Sequence, residues 1–317
     1  MMNLERYWML LREADSLYRA EKYQEVIDSL ENAAKQFPNF KPAIYYSGIC
    51  AATKLEKYDL AFDLFKEILD EGGWYSEVIL RQSPSLKPLQ GMSEFEKLLT
   101  ISVERFTQAS KNNYDLTAFP DNASPPHPLM LALHAGGGCV DEEFEVWKKI
   151  VDRGFVLGMP RSTNLFWSGR DGAYWPDSEP ASNQIKDYIA KLNANKSLDL
   201  ERTIFGGLSM GAGLAISLAL TGIIPARGFI VVAPGGQIIN ESESWQPLIE
   251  DAKDRDLHGV IILGEEDVAV PRENIRKLVK MLNDGGIPCK FLEYPGLGHW
   301  YPPDFMDIVT SFIDNLV

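Results

Sequence analysis

A serine with a glycine two residues to either side, Gly207-Leu208-Ser209-Met210-Gly211, separates two apolar stretches of different character. Arg202-Thr203-Ile204-Phe205 before it reads as a short buried strand, and Ala212 to Leu220 after it reads as a helix ended by Gly222. A G-x-S-x-G at a strand-to-helix junction bends the chain so sharply that the flanking positions must lack bulky side chains. The same turn lifts the serine hydroxyl clear of the sheet. A hydroxyl is a weak nucleophile until a base takes its proton, and the chain has only 4 histidines to supply one. His127 lies in a proline-rich stretch, His134 ends an apolar run, and His258 sits between an acidic helix and the next strand. His299, in Pro295-Gly296-Leu297-Gly298-His299-Trp300, follows the last expected strand and precedes the last helix. Open α/β sheets build their sites in loops at the carboxyl ends of strands, so His299 is the candidate base.

A base of this kind needs an acid to hold its tautomer and stabilise the imidazolium. The apolar run Val260–Leu263 leads into Gly264-Glu265-Glu266-Asp267, and Asp267 is the candidate, with Glu265 and Glu266 as neighbouring competitors. Acyl transfer also develops negative charge on a carbonyl oxygen, which backbone N–H groups can stabilise. Met210, after the serine, is placed to supply one donor. The loop His134-Ala135-Gly136-Gly137-Gly138 is placed to supply the other, from Gly136 or alternatively from Gly137. Aromatics cluster in 160–177 and beside His299. Trp167, Trp175 and Trp300 are therefore candidates to line a substrate pocket, and so is Gly137, while Tyr301 shares the ambiguity between lining and core. Cys139 reads as a lone buried thiol.

These residues require a sheet to hold them. From Leu129 onward short apolar runs alternate with amphipathic helices, the pattern of a mostly parallel sheet covered on both faces. Strands are expected at 129–134, 155–159, 203–205, 229–233, 260–263 and 290–294. Helices are expected near 141–153, 181–194, 210–221, 244–254, 271–284 and 302–316. Residues 107–128 read as a linker, polar and ending in Ser124-Pro125-Pro126-His127-Pro128, with an edge strand near Tyr114–Phe119.

Residues 1–106 form a separate helical domain by their grammar. Leu10, Ala14, Leu17, Val26, Leu30, Ala33 and Pro38 fall at the spacings of a 34-residue helix-turn-helix unit, and Lys57-Tyr58 echoes Lys22-Tyr23 in a second unit. This stretch resembles the tetratricopeptide repeat, with Leu10 where that family usually has tryptophan; a plain antiparallel helical bundle is the alternative. Two units cannot bury a continuous core alone, so this half is expected to pack against a neighbour.

Residues 129–317 resemble the α/β-hydrolase superfamily, specifically its compact carboxylesterases, phospholipases and acyl-protein thioesterases. The likeness is carried by H-A-G-G-G at 134–138, G-G-L-S-M-G-A-G at 206–213, G-E-E-D at 264–267 and Y-P-G-L-G-H at 294–299. Ala135 departs from the family's usual glycine. Ser209, Asp267 and His299 occur in the family's order. The resemblance implies cleavage of a carboxylic ester or thioester through an acyl-serine intermediate, without metal or organic cofactor, and the lack of a large lid-like insertion between the expected strands points to an open site and small, soluble substrates. The same triad also serves peptidases and acyltransferases, and the helical half is a candidate for protein or self-association with the hydrolase half as sensor.

Composition excludes several other classes. A net charge of −14 opposes nucleic-acid binding, which needs basic stripes, and stable attachment to anionic lipid. The N-terminus lacks a signal-peptide pattern, and no apolar run approaches the roughly 20 residues that span a bilayer. The 3 cysteines are odd in number and far apart, so a reduced cytoplasmic setting without a disulfide framework is the expectation.

Overall fold

Apolar residues spaced three and four apart make the first hundred residues helical, and in the computed structural model they form α1 (Met2–Arg19), α2 (Tyr23–Gln36), α3 (Lys41–Lys54), α4 (Tyr58–Asp70), α5 (Glu77–Gln82) and α6 (Ser93–Ala109). The structure describes residues 2–109, 115–138, 140–169, 172–176, 178–194, 197–241 and 244–316, so Cys139 and Tyr114 lie outside the described residues. Consecutive helices from α1 to α4 pack against one another. Gly48 permits the close approach of α3, because a Cβ there would lie 2.2 Å from the Leu30 side chain. Val26, Ile44, Ile49, Phe65, Ile68, Leu80 and Phe95 fill the helical core.

The chain divides into two compact units. Unit one comprises Met1–Asn113 together with Thr163–Ala173, and unit two comprises Tyr114–Ser162 together with Tyr174–Val317. Residues 163–169, with 172 and 173, are a strap taken into the helical unit. Ser76 N–H donates to Phe166 O at 2.7 Å, Ser168 N–H donates to Trp74 O at 2.9 Å, and Tyr75 and Trp167 form an antiparallel bridge. Trp74, Leu165 and Ala173 make a small apolar cluster of their own. Helix α6 runs on to Ala109, and the first parallel strand starts at His127. Pro128 is tolerated there because it lies at the strand's start, beside a register shift between Pro128 and Met130.

Unit two holds a seven-stranded sheet among the described residues: β1 (Leu116–Ala118), β2 (His127–Leu133), β3 (Val156–Met159), β4 (Leu198–Leu208), β5 (Gly228–Val232), β6 (His258–Gly264) and β7 (Cys289–Tyr294). The order is β1-β3-β2-β4-β5-β6-β7, parallel throughout except for the edge strand β1, which runs antiparallel to β3. β2, β3 and β5 are buried along their whole length, the continuous apolar pattern of a sheet covered on both faces. β4 is far longer than the expected 203–205 because its first half carries polar, partly exposed residues such as Glu201 and Arg202. Covering helices are α7 (Val140–Trp147), α8 (Ser178–Leu192), α9 (Ser209–Thr221), α10 (Gln237–Asn240), α11 (Trp245–Ala252), α12 (Arg272–Asp284) and α13 (Phe305–Asp314).

Candidate active site

Strand β4 ends at Leu208, helix α9 starts at Ser209, and the whole reversal falls on the serine, whose φ is +54°. A non-glycine residue in the left-handed region costs about 1–2 kcal/mol, and the surroundings compel it here. A Cβ at Gly207 would lie 2.7 Å from Leu133 O, and one at Gly211 would lie 2.2 Å from Leu133 O and 2.4 Å from His134 O. Both glycines thus let the turn press against the end of β2. Behind the turn, Gly235 N–H donates to Ser209 O at 2.8 Å, fixing it to the loop after β5.

Asp267 and His299 project from the loops after β6 and β7, at the same carboxyl-terminal edge of the sheet as Ser209. His299 Nδ1–H donates to Asp267 Oδ2 at 2.7 Å, which leaves Nε2 as the basic nitrogen. The Asp267 side chain is fully buried while the His299 side chain is 16% exposed, so the imidazole alone has an open edge. Burial on its own would raise the Asp267 pKa. The hydrogen bond and charge of His299, with the N–H groups of Ala269 (2.8 Å) and Val270 (3.2 Å), outweigh it and hold the carboxyl below its ordinary value. Glu265 and Glu266 are exposed. Their backbone N–H groups tie the two loops together by donating to Tyr294 O and Leu297 O. Gly264 makes that approach feasible, since a Cβ there would lie 2.0 Å from Leu297 O.

The glycine loop after β2 is held from several sides. His134 is fully buried, its Nδ1–H donates to Ala135 O at 2.7 Å, and its Nε2 accepts from Ser162 N–H at 3.1 Å. Burial lowers its pKa to about 4, so the ring is neutral and both nitrogens are engaged. Trp175 stacks on this ring at 4.9 Å and its indole N–H donates to His134 O at 3.0 Å. Gly136 faces Met210, whose Cε would lie 3.1 Å from an added Cβ, and Gly137 has φ +70°. Beneath the loop lies Glu143 of α7. Its Oε1 accepts from Ala135 N–H at 2.9 Å and its Oε2 from the Tyr301 hydroxyl at 3.0 Å, while Tyr301 Oη accepts from Trp147 Nε1–H at 3.0 Å.

The structure thus brings Asp267 and His299 into direct contact, and Gly136 against Met210. Trp175, expected to line a pocket, is only 3% exposed and supports the loop from within. Trp167 belongs to the helical unit, where its ring meets Tyr46 at 5.8 Å. Trp300 is half-buried beside the base, edge-on to Tyr301. His258 lies at the opposite, amino-terminal end of the sheet with Nε2 3.0 Å from Asp256 Oδ1, and His127 starts β2 at that same end. Glu143 escaped the sequence reading because Asp141-Glu142-Glu143 has the look of a solvated helix start. Among the described residues no group of three or more His, Cys, Asp or Glu could hold a metal ion, and no helix is long and apolar enough to cross a membrane.

Comparison with known proteins agrees with this architecture. Residues 6–110 match the family described as the A/B hydrolase-like N-terminal domain, a match that does not assign them to the tetratricopeptide repeat. Residues 177–317 match the phospholipase/carboxylesterase family, a span containing Ser209, Asp267 and His299. The acyl-protein thioesterase 1 homolog 1 of Dictyostelium discoideum is 27% identical over 44% of this chain and 62% of its own length. Acyl-protein thioesterase 1 of Gibberella zeae is 27% identical over 36% of this chain and 47% of its own. The chain therefore spans less than two thirds of either relative. An uncharacterized protein from Bacillus cereus ATCC 10987 is similar across both units, with 26% identity, 98% of each chain covered and a TM-score of 0.55. Esterase PE8 shares the fold of the sheet-bearing unit, at 18% identity over 65% of this chain and 100% of its own with a TM-score of 0.54.

Proposed function

We propose that this chain, which carries the phospholipase/carboxylesterase match over residues 177–317, is a serine hydrolase that cleaves small carboxylic esters or thioesters through an acyl-enzyme. The observation that carries the reading is the buried Asp267 carboxylate bonded at 2.7 Å to His299 Nδ1, at the sheet edge where Ser209 is held at φ +54°. In the proposed reaction His299 Nε2 takes the Ser209 hydroxyl proton as Oγ attacks the acyl carbon. The N–H groups of Met210 and of Gly136, or Gly137 in its place, stabilise the oxyanion. The imidazolium then passes its proton to the departing alkoxide or thiolate, and Asp267 stabilises the positive ring throughout. Water, activated by the same nitrogen, adds to the acyl-serine and releases the carboxylic acid. His134 is unsuited to the role of base because both of its nitrogens are already bonded in the interior. Thioesters stand beside esters because both relatives named above are acyl-protein thioesterases.

The test is a rate series on p-nitrophenyl esters and acyl thioesters of increasing chain length, with wild type and Ser209→Ala. Turnover that disappears with the hydroxyl supports the reading, and its chain-length optimum sizes the acyl pocket. Turnover that survives in Ser209→Ala, or a wild type inert to these substrates and to fluorophosphonate labelling, overturns it.

A further inference from the structure

We infer that Glu143 is a positioning residue, locking the glycine loop to the loop of the base so that the oxyanion donors and the imidazole are held as one piece. The inference rests on the serine-hydrolase reading above. Its starting point is an anomaly: Glu143 is fully buried on α7, and its two oxygens meet an amide and a phenol instead of a cation. A carboxyl group in such a place costs free energy that an apolar residue would not, several kcal/mol when it is ionised without a cation.

What its two bonds achieve is a junction. Ala135, whose N–H is bonded to Oε1, directly precedes the candidate oxyanion donor Gly136. Tyr301, whose hydroxyl is bonded to Oε2, lies two residues beyond His299. Trp147, which donates to Tyr301 Oη, presses on β4 at Gly206, where an added Cβ would lie 2.3 Å from its ring. Gly206 in turn is three residues before Ser209. One carboxyl group thereby connects the ends of β2 and β7, and through Tyr301 and Trp147 it reaches β4. The third glycine of the loop follows from the same contact, since a Cβ at Gly138 would lie 2.4 Å from Glu143 Oε1.

The junction has an electrical side. Burial, with a smaller contribution from neighbouring Glu142, raises the Glu143 pKa to about 8, although the Ala135 N–H and the Tyr301 hydroxyl pull it down. At neutral pH the group is largely uncharged, and in that form its own O–H donates across the Oε2–Tyr301 contact while Oε1 still accepts from Ala135 N–H. Above that value it places a negative charge beneath the loop that must stabilise a developing oxyanion, and the reaction slows.

The experiment compares full-length wild type, Glu143→Leu, Glu143→Gln and Ser209→Ala. It measures p-nitrophenyl acetate kinetics and fluorophosphonate labelling rates from pH 6 to 9.5, with circular dichroism as the check of folding. Glu143→Leu, folded, is expected to lose about 10²-fold in kcat with KM within about twofold, the scale of one misplaced oxyanion donor. Glu143→Gln, which can still accept the Ala135 N–H, is expected to keep neutral-pH activity within severalfold and to lose the decline above pH about 8. A folded Glu143→Leu with kcat within threefold of wild type overturns the inference, and so does a Glu143→Gln that retains the wild-type alkaline decline. If Glu143→Leu fails to fold, the Glu143→Gln profile decides. Turnover that survives in Ser209→Ala, or a wild type inert to both probes, overturns the hydrolase reading and this inference with it. Loss of turnover in Ser209→Ala beside an unaffected Glu143 series overturns this inference alone.

Discussion

Two carboxyl groups inside the same unit are pushed in opposite directions by what surrounds them. Asp267 has an imidazole and two N–H groups and is held ionised, whereas Glu143 has no cation and is held neutral. Asp267→Asn should keep the geometry while reversing the tautomer preference of His299, lowering kcat by about 10³–10⁴-fold in ester hydrolysis assays. Stability should respond to pH through the buried groups. Native His134, with its pKa lowered to about 4, binds fewer protons than unfolded His134 between about 4 and 6.5, so stability rises with pH across that window. Native Glu143 binds more protons than unfolded Glu143 between about 4.5 and 8, so stability falls across that one. The two oppose each other between about pH 4.5 and 6.5, and above that the Glu143 contribution continues without the opposing one from His134. Unfolding free energy measured by urea titration should therefore drop by about 2 kcal/mol from pH 6.5 to 8 in wild type, and stay nearly level in Glu143→Gln. The proposed roles of Ser209, Asp267 and His299 were readable because four histidines leave one candidate base and the motifs stand in order. Glu143 and Trp175 were not, because a buried acid and a buried indole differ from exposed ones only by their neighbours.

At the scale of elements, the apolar strands announced themselves because a sheet covered on both faces leaves no place for polar side chains. The exception is β4, whose exposed Glu201 and Arg202 hid its first half. The glycines divide into two kinds, which substitution separates. Gly211 is small because β2 presses on it, with Leu133 O at 2.2 Å from an added Cβ. Gly91 is glycine for its backbone, with φ +81° and nothing within 4 Å of an added Cβ. Gly91→Ala should cost about 1 kcal/mol in urea unfolding. Gly211→Ala should cost more than about 3 kcal/mol or prevent folding, because backbone rather than a yielding side chain blocks the methyl.

At the scale of the whole chain, the strap decides how the two units can be separated. Deleting residues 1–106 removes Trp74, Tyr75 and Ser76, the partners of Phe166, Trp167 and Ser168, and leaves Leu165 and Trp167 without cover. The truncated chain should partition into the insoluble fraction on expression, while full-length chain remains in the supernatant. A soluble, fully active remainder would show instead that the helical unit is an independent module. Nothing in the sequence marked this arrangement, since the aromatic density of 160–177 suits a substrate pocket as well as a strap. The strap also sets an order of events during synthesis. Unit one is chemically discontinuous, so its first 113 residues leave the ribosome without the segment that pairs with Tyr75. At about 5–20 residues per second, some 3–10 seconds separate Asn113 from Thr163. Through that interval the nascent helices wait with one edge unfilled, and the chain's first-made half is completed by its second.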